Sequence, residues 1–258
     1  MGAVLGAAAA GVAVLMIVTW LISVARRDAS LVDIVWGLGF VVVAVAAFVV
    51  GDGADTRRSL LLLMVGGWGL RLALHLAVRN LGHGEDRRYQ RMRRHYGEWF
   101  WLISLVTVFA LQGVLMLVVS APVWLSASAE RPAGVGPLAF VGIALWVVGF
   151  VFEAGGDLQL ARFKADPAHE GQVMDRGFWR YTRHPNYFGD SCVWWGIWLV
   201  AAETGPGRWG IVGPIVMTVF LLRVSGVALL EKDIGHRRPQ YADYIQRTSA
   251  FFPRPPKR

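Results

Sequence analysis

Long apolar segments constrain this chain more than any other feature of its sequence. Only helices or closed barrels can cross a lipid bilayer, and a helix needs roughly 20 apolar residues to do so. Hydrophobic residues make up 55% of the chain and charged residues 17%, which excludes an ordinary soluble globule. The sequence therefore predicts an all-α, polytopic membrane protein with seven transmembrane helices, at residues 1–25, 34–50, 59–79, 101–121, 137–165, 187–203 and 210–230.

The basic residues are distributed unevenly between the connecting segments. Four of these segments hold 20 of the 26 Lys and Arg residues: 26–33, 79–100, 156–190 and 231–258. Positive charge is enriched in cytoplasmic loops, so the pattern predicts an N-out/C-in topology. The first apolar segment carries its charge after the apolar run, which indicates a retained helix. We expect the plasma (inner) membrane of a bacterium, with the active site facing the cytoplasm.

The charge and the metal-ligand inventory exclude several classes of partner. The net charge is +8, but Lys and Arg cluster beside apolar segments, which favours anionic lipid or an anionic cofactor over nucleic acid. A single cysteine, Cys192, excludes a thiolate cage, and the six His residues are scattered. The predicted partners are thus the lipid bilayer and a small molecule, without nucleic acid or metal.

The fifth apolar segment carries three charged residues on one face. Glu153, Asp157 and Lys164 lie at offsets 0, 4 and 11, within about 40° of one another around a helix axis. A helix over 137–165 is ~43 Å long and exceeds the hydrocarbon core, so its last turns project or tilt. This face is either an interhelical salt-bridge network or a wall for a ligand with hydroxyls and phosphates.

The loop RGFWRYTRHPNYFGD follows this helix and faces the same ligand in our interpretation. Its aromatic residues, Tyr181 and Tyr187 among them, can stack on a flat ring. Asn186 offers a donor and an acceptor to an amide such as a nicotinamide carboxamide. His184 is either an acid or base or a structural turn residue. The segment from Arg183 to Asp190 is the turn opposite the wall.

Polar residues also occur inside two other apolar segments. Trp68, Arg71, His75 and Arg79 fall within a quarter-turn of one another, which predicts a polar stripe facing the helix bundle. Arg223 lies in the last segment and needs a partner, either Asp190 or a ligand phosphate. The connection 79–99 is predicted as a basic loop, in which residues 85–88 form either a helix-cap and ion-pair cluster or a solvated basic face.

Several segments together resemble a known family. FEAGGDLQLARFK, GFWRYTRHPNYFGD, RRPQYADYIQRTSAFFPRPPK, DIVWGLGF and WGLRLALHLAVRNLGHGEDRRY are similar to the DUF1295 family of steroid 5-alpha-reductase-like membrane enzymes. The resemblance implies one domain over residues 1–258, with a cofactor half at about 137–258. It also implies a seven-helix bundle that holds NADPH in a cytoplasm-facing pocket and takes a lipid-like substrate from the membrane.

The resemblance also implies roles for individual residues. Asp157 and Asn186 hold the nicotinamide and ribose portion, Asp190 orients them, and Glu153 faces the cofactor. The residues expected to meet the phosphates are Lys164, Arg79, Asn80 and Arg223.

The catalytic residues of that family match less closely. Steroid 5-alpha-reductases use an embedded Glu and Tyr to polarise the substrate carbonyl. Here Asp33 is a rough match for the Glu, and Trp68 stands at the Tyr position. Tryptophan donates one hydrogen bond but delivers no proton, so His75 or Tyr89 is the candidate replacement acid.

Three functions remain open on these observations. The leading hypothesis is an NADPH-dependent reductase that acts on an activated C=C bond in a hydrophobic substrate. The second is an S-adenosylmethionine-dependent methyltransferase of the isoprenylcysteine or phospholipid type, which carries a similar Arg-His-Pro-x-Tyr turn. The third is a non-catalytic lipid-binding relative.

Overall fold

Helices are the regular elements of this chain. The computed structural model describes residues 1–224 and 241–257, and that part contains no strand. Its α-helices are α1 (Gly2–Arg26), α2 (Leu31–Val50), α3 (Asp55–Asn80), α4 (Arg87–Tyr96), α5 (Phe100–Ser104), α6 (Leu111–Val119), α7 (Ala121–Ser126), α8 (Pro137–Ala165), α9 (Pro185–Ala201), α10 (Gly205–Arg208), α11 (Val212–Val219) and α12 (Tyr241–Arg247). Two π-helical stretches, Leu105–Ala110 and Phe220–Val224, continue α5 and α11.

Six helical stretches of the described chain are long and apolar enough to cross a membrane: Gly2–Arg26, Leu31–Val50, Asp55–Asn80, Arg87–Val119, Pro137–Ala165 and Gly205–Arg223. This confirms the prediction of an all-helical integral membrane protein. α9 corresponds to the predicted segment 187–203, but with 17 residues it is not one of the six. The predicted segment 210–230 extends beyond the described residues. The count of seven helices and the N-out/C-in orientation therefore stay predictions.

One segment predicted as a loop is helical. Residues 87–96 form α4, which begins after Asp86 because the Asp86 carboxylate accepts a hydrogen bond from the backbone N–H of Arg88 at 2.8 Å. The helix-cap interpretation of residues 85–88 is confirmed. The sequence did not predict the rest of this helix, because α4 contains five arginines and only one buried residue, Tyr89, which is too few to give an apolar stripe.

The chain divides into two compact units. The first comprises Met1–Ala139 and Val200–Gly213, and the second comprises Phe140–Leu199 and Pro214–Arg258. The second unit contains most of the predicted cofactor half, and residues 200–213 fall in the first.

In the first unit, α2 packs against both α1 and α3. The contact with α3 is close, since a Cβ atom added to Gly37 would lie 2.3 Å from the carbonyl oxygen of Gly69. In lipid, helices associate through such small-residue contacts because no hydrophobic force drives them together.

In the second unit, α8 and α9 meet along glycines spaced seven residues apart. A Cβ atom on Gly149 would lie 2.5 Å from the carbonyl oxygen of Gly189, and one on Gly196 would lie 2.5 Å from that of Gly142. A Cβ atom on Gly189 would also lie 2.5 Å from the backbone nitrogen of Glu153. The two backbones are in contact, so the polar residues beside these glycines are held at fixed separations.

A buried arginine closes the first unit at one end of α3. The Arg57 guanidinium donates to the carbonyl oxygens of Pro132 at 2.7 Å and Gly134 at 2.8 Å. It also pairs with the Glu203 carboxylate at 3.3 Å. Arg57 is 1% exposed, so its charge depends on these three acceptors.

The Glu203 carboxylate is held in its ionised form. Burial raises its pKa, but hydrogen bonds from the backbone N–H groups of Gly136 and Ala139, together with Arg57, outweigh that effect. The pKa of Glu203 therefore lies below its ordinary value. Because this pKa is lower in the folded than in the unfolded protein, the ionised carboxylate stabilises the fold at pH values above the unfolded-state pKa. This stabilisation is lost as the pH falls through the folded-state pKa.

We predict that Glu203→Gln lowers the stability of the protein at neutral pH, by roughly 3–5 kcal/mol, because Arg57 keeps its buried charge without a counterion. Thermal unfolding in detergent should show a lower Tm at pH 7 and a weaker loss of Tm on acidification below about pH 4 than in the wild type. An equal acid-induced loss in both proteins would contradict this assignment.

We also predict that Gly189→Ala destabilises the second unit by about 1–3 kcal/mol, because its Cβ atom would overlap backbone atoms of α8. Thermal unfolding measures the effect. The control is Gly66→Ala on α3, where an added Cβ meets nothing within 4 Å and Tm should not fall.

Candidate functional site

The candidate cofactor site lies in the second unit, where the loop after α8 returns to that helix. The Asn186 side-chain amide donates to the Asp157 carboxylate, with Nδ2 and Oδ1 3.2 Å apart. Asp157 is buried, and Asn186 is half-buried in the first turn of α9. The structure thus brings together the two residues that were expected to hold the nicotinamide portion.

Glycine makes this contact possible. A Cβ atom on Gly156 would lie 3.0 Å from Pro185 Cγ and 3.4 Å from the backbone nitrogen of Asn186. The carbonyl oxygen of Gly156 accepts a hydrogen bond from the Trp179 indole N–H at 3.0 Å. The loop is therefore fastened to α8 beside Asp157.

The Asn186 amide keeps hydrogen-bonding capacity after these contacts. Its Oδ1 accepts from the Tyr187 backbone N–H at 3.1 Å, and one of its two Nδ2 hydrogens points to Asp157. A primary amide has two donor hydrogens and two acceptor lone pairs. One donor and one acceptor position remain, which match the carboxamide that the sequence predicted.

Two further carboxylates are buried near this pair. Glu153 is 3% exposed and Asp190 is 9% exposed, and Glu153 packs against Gly189, the neighbour of Asp190. Both residues take part in polar interactions. Buried carboxylates in a membrane helix are costly, and they usually mark a ligand or ion site.

The turn from residue 181 to 187 has both structural and open positions. The His184 ring is buried and stacks on Tyr187, with ring centroids 5.5 Å apart and planes 6° from parallel. Tyr181 is exposed. The Arg183 guanidinium donates to the carbonyl oxygens of Ile245 at 3.1 Å and Thr248 at 2.5 Å. Arg183 therefore holds the C-terminal segment, and a cofactor contact by this residue stays a prediction.

The C-terminal segment continues these contacts. The Thr182 hydroxyl donates to the Phe251 carbonyl at 2.8 Å, and the Arg183 backbone N–H donates to the Ser249 carbonyl at 2.8 Å. The Tyr244 hydroxyl donates to the Trp179 carbonyl. The amphiphilic sequence of this segment is typical of the membrane interface, and nothing in its composition indicates that it supports the loop.

The cations expected to meet phosphates are at the surface of their own units. Lys164, in the last turn of α8, is exposed, and so is Arg223 in the stretch Phe220–Val224. In the first unit, Arg79 is exposed and donates through Nε to the side chain of its neighbour Asn80 at 3.0 Å.

The candidate catalytic residues belong to the first unit, where two of them form a hydrogen bond. The Tyr89 hydroxyl donates to Asp33 Oδ1 at 2.8 Å, and Gln112 donates to the Tyr89 oxygen at 3.4 Å. Arg88 pairs with Asp33 Oδ2 at 2.8 Å and with Asp86 at 3.0 Å. The sequence did not identify Arg88 and Gln112 as site residues, because one Arg within a basic run and one Gln in an apolar helix form no recognisable motif.

Trp68 and His75 differ from this pair in their surroundings. Trp68 is 0% exposed and packs edge-on against Phe40, with centroids 5.3 Å apart, beside the close contact at Gly69. Full enclosure favours a packing role for Trp68. His75 is half-buried on the same helix. The Asp33–Tyr89 pair is therefore the stronger candidate for proton transfer.

Comparison with known proteins places the chain in a family. The family model "Protein of unknown function (DUF1295)" matches residues 19–248. An uncharacterized protein, C594.04c, from Schizosaccharomyces pombe is 23% identical over 265 aligned positions, which cover 92% of this chain and 76% of the relative. No solved structure matches. Because the family model covers nearly the whole chain, the protein belongs to the DUF1295 family.

Proposed function

We propose that this protein is a membrane-embedded, NADPH-dependent reductase of an activated C=C bond in a hydrophobic, lipid-soluble substrate such as a steroid-like compound. The observation that carries the proposal is the hydrogen-bonded pair of Asp157 and Asn186 in a membrane-embedded unit. Its placement beside the buried carboxylates of Glu153 and Asp190 supports a polar ligand at this point.

The donor and acceptor set of the second unit fits NADPH. Asn186 would bind the carboxamide through its remaining donor and acceptor, and Asp157 would fix the orientation of the Asn186 amide. Carboxylates suit ribose hydroxyls, and the exposed cations Lys164 and Arg223 suit phosphate oxygens. When bound, NADPH supplies a hydride for the β carbon of the conjugated double bond.

The first unit supplies a proton donor in this proposal. Arg88 pairs with Asp33 Oδ2, and the Tyr89 hydroxyl donates its hydrogen to Asp33 Oδ1. Tyr89 would donate its hydroxyl proton to the oxygen of the developing enolate and then regain a proton from water, and the hydrogen bond from Gln112 to the Tyr89 oxygen would stabilise the phenolate in between. This pair replaces the Glu and Tyr of the steroid 5-alpha-reductases.

An S-adenosylmethionine-dependent methyltransferase is the competing proposal, because both cofactors carry ribose hydroxyls and an adenine. The charge of the cofactor separates the two. NADPH is polyanionic and needs cations, whereas S-adenosylmethionine is itself cationic. The exposed basic residues around α8 and its loop, which include Arg162, Lys164 and Arg180, favour the anion.

The first test is titration of the detergent-purified protein with NADPH, followed by nicotinamide fluorescence. We expect saturable binding, and roughly 10- to 100-fold weaker binding by Asn186→Ala, which leaves a buried carboxylate and a carboxamide without their partner. The control is Gln172→Ala, which removes an exposed amide of the same unit. Binding of S-adenosylmethionine but not NADPH in the same assay would refute the proposal.

The second test concerns the proton donor. With a panel of hydrophobic enones, Tyr89→Phe should lower kcat by about 10²- to 10⁴-fold and leave the Kd for NADPH unchanged. Tyr96→Phe, an exposed tyrosine on the same helix, should keep full activity. NADPH binding without turnover of any enone by the wild type would instead indicate a non-catalytic, lipid-binding protein.

A further inference from the structure

A separate cleft lies in the first unit, where α1 ends beside the start of α5. It has a volume of about 620 Å³ and is open to the surface. Charged, hydroxyl and aromatic side chains line it, among them Arg27, Arg93, Glu98, Ser23 and Trp101. None of these residues takes part in the proposed reduction.

Arg27 has an unusual backbone conformation at this cleft. Its φ angle is 52°, and it is the one non-glycine residue with positive φ in residues 1–224 and 241–257. It ends α1 at the position where glycine is preferred, because a side chain there is strained. Strained residues cluster at ligand sites, so the guanidinium has a use that glycine would not serve.

The second cation of the cleft is already neutralised. Arg93 donates to both carboxylate oxygens of Glu85, at 2.8 and 3.0 Å, and its guanidinium lies 4.6 Å from the Phe100 ring centroid. It is therefore fixed in place and offers hydrogen-bond donors without net charge. Two net charges remain in the cleft, a positive one on Arg27 and a negative one on Glu98.

These two charges form no ion pair with one another, and neither is paired elsewhere in the part of the chain that the structure describes. A cleft with one cation and one anion matches a zwitterion better than a net anion. The carboxylate can accept hydrogen bonds from a primary ammonium, but not from a quaternary one, which has no hydrogen to donate.

The surroundings of the cleft indicate a membrane lipid. The Trp20 and Trp101 rings stack with centroids 6.1 Å apart, and tryptophans gather where lipid head groups meet the acyl chains. Exposed apolar residues continue along one face of α1 away from the cleft, at Val24, Leu21 and Ile17. A head group in the cleft could thus lay an acyl chain along this face.

We propose that the cleft binds the head group of an aminophospholipid, a lipid with a phosphate and a primary ammonium. Arg27 and Arg93 hold the phosphate oxygens, and Glu98 accepts from the ammonium.

The test is thermal unfolding of the delipidated protein in non-ionic detergent, with added phosphatidylethanolamine, phosphatidylglycerol or phosphatidylcholine. We expect the largest rise in Tm with phosphatidylethanolamine, reduced at high salt because both charges are exposed. Soluble glycerophosphoethanolamine should give no comparable rise. An equal or larger rise with phosphatidylglycerol, or an equal rise with the soluble compound, would overturn the proposal.

Three variants test which residues of the cleft bind the lipid. Arg27→Gly should keep or raise the lipid-free Tm, since it relieves the positive φ, yet lose the shift caused by phosphatidylethanolamine. Glu98→Gln should lose the preference for phosphatidylethanolamine over phosphatidylglycerol. Arg91→Gln removes an exposed arginine of α4 that does not line the cleft, and it should respond as the wild type does. A full lipid response in Arg27→Gly would refute the assignment.

Discussion

The direct backbone contact between α8 and α9 is the constraint on which the candidate cofactor site depends. Gly149, Gly189 and Gly196 leave no space for side chains between these helices, so the carboxylates beside them cannot move apart. Asp157 on α8 is therefore hydrogen-bonded to Asn186 on α9, and Glu153 packs against Gly189. In lipid, polar groups in such a position need partners from the protein, and the short distance supplies them.

The first unit also contains buried charged groups, and other kinds of partner satisfy them there. Arg57 is enclosed by two carbonyl oxygens and the Glu203 carboxylate, and the carboxylate balances its charge. Asp33, Arg88 and Tyr89 also form a connected network, and this one includes the hydroxyl that we propose as the proton donor. A satisfied ion pair stabilises a fold, whereas a shared proton can take part in chemistry. That difference separates the two polar networks of this unit.

The sequence predicted much of this arrangement, and there are physical reasons why it did not predict the remaining contacts. The lengths of the apolar segments located the membrane helices, and helical periodicity placed Glu153 and Asp157 on one face of a helix. The glycines at 142, 149, 156, 189 and 196 could also have been found, since their spacing of seven residues is visible in the sequence. The bond between Asp33 and Tyr89 joins residues 56 positions apart, so no local pattern indicates it. The same holds for Arg183 and its acceptors 62 and 65 residues later.

The fastening of the 179–183 loop by the C-terminal segment has a consequence for how the protein is made. A ribosome releases α8, the loop and α9 well before it reaches residues 244–251, so these elements can enter the membrane without their last supports. The Thr182 hydroxyl, the Arg183 guanidinium and the Trp179 carbonyl acquire their partners only after residues 244–251 have been synthesised. The loop beside the candidate cofactor site thus receives its supports later than α8 and α9 are made, and these helices can be in the membrane before that loop is held in place.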